Sequence, residues 1–281
     1  MRIAIASGKG GTGKSTIATN LAYLLSEQYE DVVIVDCDVE EPNCHIFLKP
    51  KIESSKKAFS AIPKINKELC IGCGKCKDIC KFNSLALIKK EVLVFPELCH
   101  GCGGCWLVCP VGAIEKGEKE IGVIEKGKSN KLRFVQGKSR IGEPMSPPLI
   151  KKTKQEAVGH NIQVLDCPPG TSCPVITAVD GADFVLMVTE PTPFGLYDLE
   201  LAVDVMKKLK KAFAIVINRS SDNDHFIESY ALKNDIKILA KIPDNIKIAE
   251  SYSRGELILE TLPKYKKAFQ PLLELVERMH K

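Results

Sequence analysis

The chain has 281 residues, 44% of them hydrophobic and 27% charged, which suits one large α/β domain with a small added module. Lys and Arg number 40 against 35 Asp and Glu, so the net charge is a mild +5. No run reaches the ~18 apolar residues of a membrane span, and Met1 leads directly into a strand-like segment, so a soluble, cytoplasmic protein is expected.

Ile3-Ala4-Ile5-Ala6 reads as a strand, and Ile17, Leu21, Leu24 and Leu25 fall on one face of a helix. Between them stands Gly8-Lys9-Gly10-Gly11-Thr12-Gly13-Lys14-Ser15, which fits G-x-x-x-x-G-K-[ST]. Glycines in such a loop let successive backbone N–H groups curl around the phosphates of a nucleotide at the positive end of a helix. Lys14 would reach the outer phosphates and Ser15 would ligate Mg²⁺, with Thr16 beside it in the nucleotide-binding set. A second strand, Val32-Val33-Ile34-Val35, ends in Asp36-Cys37-Asp38, two carboxylates where parallel sheets bind ligands. Cys37 and Cys44 lack the spacing of a metal knuckle and read as small buried residues.

From Lys49 to Lys67 the pattern is irregular and lysine-rich and reads as a connector. Cys70, Cys73, Cys76 and Cys80 then make C-x2-C-x2-C-x3-C, and Cys99, Cys102, Cys105 and Cys109 repeat it with Pro110 following. The cysteines of one run lie a fixed spacing from their counterparts, as do Glu68 and Glu97, so the segment is an internal repeat. Two such runs are the bacterial two-cluster ferredoxin signature, in which the fourth cysteine of each run serves the other cluster. The expected ligand sets are Cys70, Cys73, Cys76 and Cys109 for one 4Fe–4S cluster, and Cys99, Cys102, Cys105 and Cys80 for the second. Zinc is the alternative, but zinc sites usually come as two separated cysteine pairs. Lys81 stands where a proline commonly follows the fourth cysteine, and Trp106 inside the second run is read mainly as core of the module.

With two clusters bound, each near −2 in its oxidised form, the protein is close to neutral, so no nucleic-acid partner is expected. Lys116 to Lys128 reads as a charged, glycine-punctuated return, and Gly142 to Pro148 as an extended, proline-fixed stretch. Ile162-Gln163-Val164-Leu165 then delivers Asp166-Cys167-Pro168-Pro169-Gly170, with Asp166 expected in the Mg²⁺ shell and the Gly170 N–H near the terminal phosphate. After the buried strand Val185–Thr189, another strand, Ala214–Ile217, ends in Asn218-Arg219, whose amide is suited to adenine. The last helix carries Phe269, Leu272, Leu273, Val276 and Met279 as one stripe, expected to pack on the sheet.

The Lys9-to-Ser15 loop, the Asp36-Cys37-Asp38 pair, the Asp166-to-Gly170 segment and Asn218-Arg219, in this order, resemble the MinD, ParA and nitrogenase iron-protein superfamily of ATPases, here with an inserted ferredoxin-like domain. The resemblance implies an open, mostly parallel sheet with helices on both faces, residues 1–62 and 118–281 forming the ATPase domain around an α+β bacterial-ferredoxin-like insert at 63–117. It implies ATP or ADP as ligand, Asp36 on the Mg²⁺ shell, Asp38 on the attacking water, and Lys9 touching nucleotide across a homodimer. Lys9, Lys14, Asp38 and Asp166 are thus the candidate catalytic residues, and Gly8, Gly10, Gly11, Thr12, Gly13, Ser15, Thr16, Gly170, Asn218 and Arg219 the nucleotide contacts. Cys173 lies seven residues after Asp166, as does a cluster cysteine of the nitrogenase iron protein, but without an evident second ligand. ATP-gated electron transfer to an acceptor protein is the leading expectation. Iron–sulfur cluster delivery and a positioning ATPase with structural clusters are the alternatives.

Overall fold

The computed structural model describes residues 1–280. The chain divides into two compact units, the first made of Met1–Ser55, Ile124–Lys138 and the chain from Ile150 onward, the second of Lys56–Val123 and Ser139–Leu149.

Strand β1 (Arg2–Ala6) runs through a glycine loop into α1 (Lys14–Gln28), followed by β2 (Val32–Asp36), α2 (Cys44–Leu48) and β3 (Lys51–Ile65). The cysteine-bearing segment holds α3 (Lys75–Ile79), the hairpin β4 (Leu85–Ile88) and β5 (Glu91–Val94), and α4 (Gly104–Leu107). Then come β6 (Ile114–Ser129), β7 (Leu132–Ser139), α5 (Pro147–Gln155), β8 (Ile162–Asp166), α6 (Cys173–Val179), β9 (Phe184–Thr189) and α7 (Pro193–Lys208). The chain ends with β10 (Phe213–Ser220), α8 (His225–Lys233), β11 (Ile238–Pro243), α9 (Ile246–Ser253), α10 (Ile258–Thr261) and α11 (Lys266–His280).

Nine strands form one sheet in the order β11-β10-β9-β1-β8-β2-β7-β6-β3, and every neighbouring pair from β11 to β7 is parallel. Alternate residues of the central strands, among them Ile3, Ile5, Ile34 and Val164, join one core with Ile17, Leu21 and Leu25 of α1 and Phe269, Leu272 and Val276 of α11. The intervening Ala4, Val33, Val35, Leu165 and Met187 are also fully buried, and α6 and α7 pack against β1 and β9. Burial on both faces is why these strands read as continuous apolar runs without alternation. The last helix thus spends its apolar stripe on α1 and β11, each buried large side chain contributing about 1.5–3 kcal/mol.

Three segments and the bounds of the second unit differ from the sequence expectation. The lysine-rich connector is the fifteen-residue strand β3, outermost in the sheet, and the charged return is most of β6. The first seven residues of β3 are exposed and buried positions appear only from Ala58, so charged side chains protect an edge while leaving no apolar period to read. The extended stretch ends sooner than expected because Pro147 opens α5, its preset φ suiting a first helical turn. The second unit is also longer than residues 63–117, since the chain leaves the first unit within β3 and returns within β6.

In the second unit the sequence repeat is repeated in the backbone. Gly72 and Gly101 have φ of 65° and 63°, and Gly74 and Gly103, which precede α3 and α4, have 79° and 82°. These are left-handed conformations that a side chain would oppose.

Candidate functional site

The first unit gathers its polar residues at the carboxyl ends of β1, β2, β8 and β10. The loop after β1 closes on itself through the Ser7 hydroxyl, which donates to the Lys9 carbonyl at 2.6 Å. Gly13 caps α1 with φ 89°, turning the loop into the helix. Gly10, Gly11, Gly13, Lys14, Ser15 and Thr16 line a cavity of about 320 Å³, together with Asp38, Asn218, Arg219, Pro169 and Tyr252. Thr12 is buried in the loop and its hydroxyl has no partner among the described residues. An unpaired buried hydroxyl in a glycine loop at a helix N-terminus is what an anionic phosphate would satisfy, so the residues present fit a nucleotide.

β2 and β8 are neighbours in register, with Asp36 opposite Asp166. Both are buried at the strand ends. Asp36 accepts from the N–H groups of Asp38 at 3.1 Å, Asn43 at 3.0 Å and Cys44 at 3.0 Å. Asp166 accepts from the Cys44 thiol at 3.2 Å through Oδ2, while Oδ1 has no hydrogen-bond partner. Burial, and then the charge of Asp166, hold Asp36 well above the usual carboxylate range; burial raises Asp166 as well, against Lys14 and the Ser15 hydroxyl, which draw it down. A pair of raised carboxyls with a free oxygen is a donor set that a divalent cation would relieve, and Ser15 stands beside it, so the chemistry fits Mg²⁺. Asp38, at the rim, is pushed up to about 6, chiefly by burial, with Lys14 opposing.

Three residues of the expected nucleotide set have partners within the chain that their spacing does not reveal. Asn218 lines the cavity, but its amide donates to the Thr12 carbonyl at 2.8 Å and so braces the phosphate loop. The Gly170 N–H, expected to face the terminal phosphate, donates to the Ser7 carbonyl at 3.0 Å because the segment after β8 turns back along the loop. Lys9 points to Glu190 at 3.8 Å, and Glu190 also holds Arg219 at 3.2 Å. Glu190 was not singled out from the sequence; its place directly after an apolar strand was the available signal. Gly8 is pressed against α7, where a β-carbon would come within 2.0 Å of the Asp198 carbonyl oxygen. Cys37 and Cys44 are fully buried, as expected, but Cys44 lies against both aspartates, a proximity no chain spacing reveals. Cys173 is exposed.

In the second unit, Cys70, Cys73, Cys76 and Cys109 line one small cavity, with Ile65, Val92 and Ile114 around them. Cys80, Cys99, Cys102 and Cys105 line another, with Phe82, His100 and Trp106. Each cavity therefore takes three cysteines from one run and the fourth from the other. The donor sets are all sulfur and four in number, which fits a 4Fe–4S cluster. Backbone N–H groups already point at sulfur: Gly101 at Cys99, 3.4 Å, and Ala113 at Cys109, 3.2 Å. Cys80 lies 3.1 Å from the Ser84 hydroxyl; burial raises its pKa, but this hydroxyl and nearby N–H groups outweigh it and bring the thiol below its ordinary value. Trp106 is only partly buried, its indole N–H donating to the Glu115 carbonyl at 3.1 Å, so it borders the cysteine cavity instead of filling a core.

No helix among the described residues is long and apolar enough to cross a membrane. The chain is 33% identical over 268 residues to one protein of Methanocaldococcus jannaschii, covering 92% of each, and 32% identical over 277 residues to a second, covering 98% of this chain and 95% of that one. It is 26% identical over 301 residues to the iron–sulfur cluster carrier protein of Pyrococcus horikoshii, covering 97% of this chain and 84% of the carrier. The septum site-determining protein MinD of Pyrococcus horikoshii, solved with Mg-ADP, superposes with a TM-score of 0.61 at 21% identity over 99% of this chain and 96% of that one, and so shares the fold. The CobQ/CobB/MinD/ParA nucleotide binding domain matches residues 3–258. With its glycine loop at the head of a parallel sheet and a family match across nearly its whole length, the chain belongs to the MinD/ParA family of P-loop nucleotide-binding ATPase domains.

Proposed function

We propose that the protein hydrolyses MgATP in its first unit and holds two 4Fe–4S clusters in a ferredoxin-like second unit, coupling the nucleotide state to electron transfer to a partner protein. The observation that carries this reading is the pair of four-cysteine cavities, each completed by a cysteine from the other repeat. When bound, such clusters store and release single electrons at potentials set by solvent exposure and by hydrogen bonds to sulfur. The chain's own contribution is to ligate them with Cys70, Cys73, Cys76 and Cys109, and with Cys99, Cys102, Cys105 and Cys80. Phe82, His100 and Trp106 border the second set.

In the first unit, Lys14 would neutralise the outer phosphates, Ser15, Asp36 and Asp166 would hold Mg²⁺, which when bound supplies positive charge at the phosphates, and Asp38 would take the proton of the attacking water. Lys9, steadied by Glu190, reaches nucleotide in a second copy of the chain, so hydrolysis belongs to a homodimer in this reading.

A second reading, delivery of iron–sulfur clusters to apo-proteins, is favoured by relatives named iron–sulfur cluster carriers at 26% and 25% identity. Eight ligating cysteines argue for retention instead. The deciding experiment is an anaerobic redox titration by electron paramagnetic resonance, with iron counted, run without nucleotide, with ADP and with a non-hydrolysable ATP analogue. A shift of about 60 mV, tenfold in a one-electron equilibrium, supports gated electron transfer. Unmoved potentials, together with cluster transfer to an apo-acceptor faster than chelator-driven loss, would put delivery first.

A further inference from the structure

The three donors at the ends of β2, β8 and the start of α2 do not form an all-oxygen set. The Cys44 Sγ, one oxygen of Asp36 and one of Asp166 all lie within 4.8 Å of one another. All three side chains are buried, at 0%, 0% and 1% exposure, and the second oxygen of Asp166 is the one left without a partner. Asp36 is pinned by three backbone N–H groups, two of which come from Asn43 and Cys44, so the turn that orients the carboxylate also orients the thiol.

We propose that Asp36, Cys44 and Asp166 form a mixed oxygen and sulfur site for a soft or borderline divalent cation, of the Zn²⁺, Co²⁺ or Cd²⁺ class, which displaces Mg²⁺ and stops hydrolysis. The proposal rests on the reading of Asp36 and Asp166 as the Mg²⁺ carboxylates. Mg²⁺ is a hard cation that takes oxygen ligands in octahedral geometry and gains nothing from sulfur, whereas thiolate selects softer ions. Metal–ligand bonds of about 2.0–2.3 Å in a tetrahedron place ligand atoms roughly 3.3–3.8 Å apart. The Cys44 Sγ already stands 3.2 Å from Asp166 Oδ2, so contraction of the third donor suffices. Coordination replaces the thiol proton and any carboxyl proton, which leave to solvent, each aspartate supplies one oxygen, and a water completes the tetrahedron.

The test uses full-length, cluster-loaded, nucleotide-free protein with Cd²⁺ as the probe, comparing wild type with Cys44→Ser and Cys44→Ala. Cadmium K-edge absorption should find one sulfur ligand in the wild type and none in either variant, while the visible absorption of the clusters stays constant. Affinity for Cd²⁺ should fall at least tenfold in both variants, and excess Mg²⁺ should release the ion from the wild type. Cd²⁺ should inhibit MgATP hydrolysis of the wild type at concentrations at least tenfold below those needed for Cys44→Ser. An all-oxygen shell in the wild type, a sulfur signal that persists in the variants, equal affinities, or failure of Mg²⁺ to compete would each overturn the proposal. MgATP turnover of Cys44→Ser without Cd²⁺ tests the ATPase reading separately, since the serine keeps both carboxylates.

Discussion

Gly13 and Asn218 should be energetically one unit, although they lie in different elements. A β-carbon at Gly13 would stand 2.2 Å from the Asn218 Nδ2 and 3.2 Å from its Cγ, so Gly13→Ala forces the amide to move. The backbone there has φ 89°, a left-handed conformation that costs about 1–2 kcal/mol for a residue with a β-carbon. Moving the amide also breaks its 2.8 Å bond to the Thr12 carbonyl in a buried setting, which adds about 1–3 kcal/mol. Gly13→Ala alone should therefore lose about 2–5 kcal/mol. Asn218→Ala alone should lose about 1–3 kcal/mol, the hydrogen-bond share. In the Asn218→Ala background the obstacle is gone, and Gly13→Ala should cost only the backbone share of about 1–2 kcal/mol. Urea unfolding of the nucleotide-free protein around the double-mutant cycle measures this coupling. Costs that add to within about 0.5 kcal/mol would refute the reasoning, because independent sites add.

Three further outcomes follow from the same geometry. Burial pushes Asp38 up to about 6, and in the proposed hydrolysis it works ionised, so MgATP turnover should rise as pH increases through about 6 and level off above it; Asp38→Asn should lose about 10²–10⁴-fold and this pH dependence with it, as a pH–rate profile would reveal. Asp36 and Asp166 are raised in the native state, so native protein binds more protons than unfolded chain above the ordinary carboxylate pKa of about 3.9, and metal-free stability should fall as pH rises from there. Asp36→Asn should flatten that slope in thermal melts between pH 5 and 8, and an unchanged slope would count against the buried pair. Finally, Cys80→Ala should damage the cluster of the second repeat and spare the first, and Cys109→Ala the reverse, each leaving about half the iron; loss of the same-repeat signal in paramagnetic resonance would exclude the crossed ligand sets.

Some of this was readable before any fold was known. A phosphate loop must be contiguous, because its successive N–H groups have to curl around one anion, and its strand and helix flanks carry their own apolar periods. The two cysteine runs likewise obey a local spacing, and the 29-residue repeat appears in paired left-handed glycines such as Gly74 and Gly103. The edge strand β3 escaped notice since its protection from mispairing is charge, which removes the alternation that identifies strands.

Tertiary structure decided what the local motifs touch. The Asn218 amide braces a loop 206 residues away, Glu190 gathers Lys9 and Arg219, and Cys44 meets a carboxylate 122 residues along the chain. Those contacts depend on which strands lie side by side and in what register, with Asp36 opposite Asp166 on β2 and β8. Register is set by the burial of whole strands in a common core, a collective balance that no single motif encodes. The amino-acid sequence by itself thus determined the chemical groups and their local geometry, while packing determined their neighbours and, through burial and charge, the protons they hold.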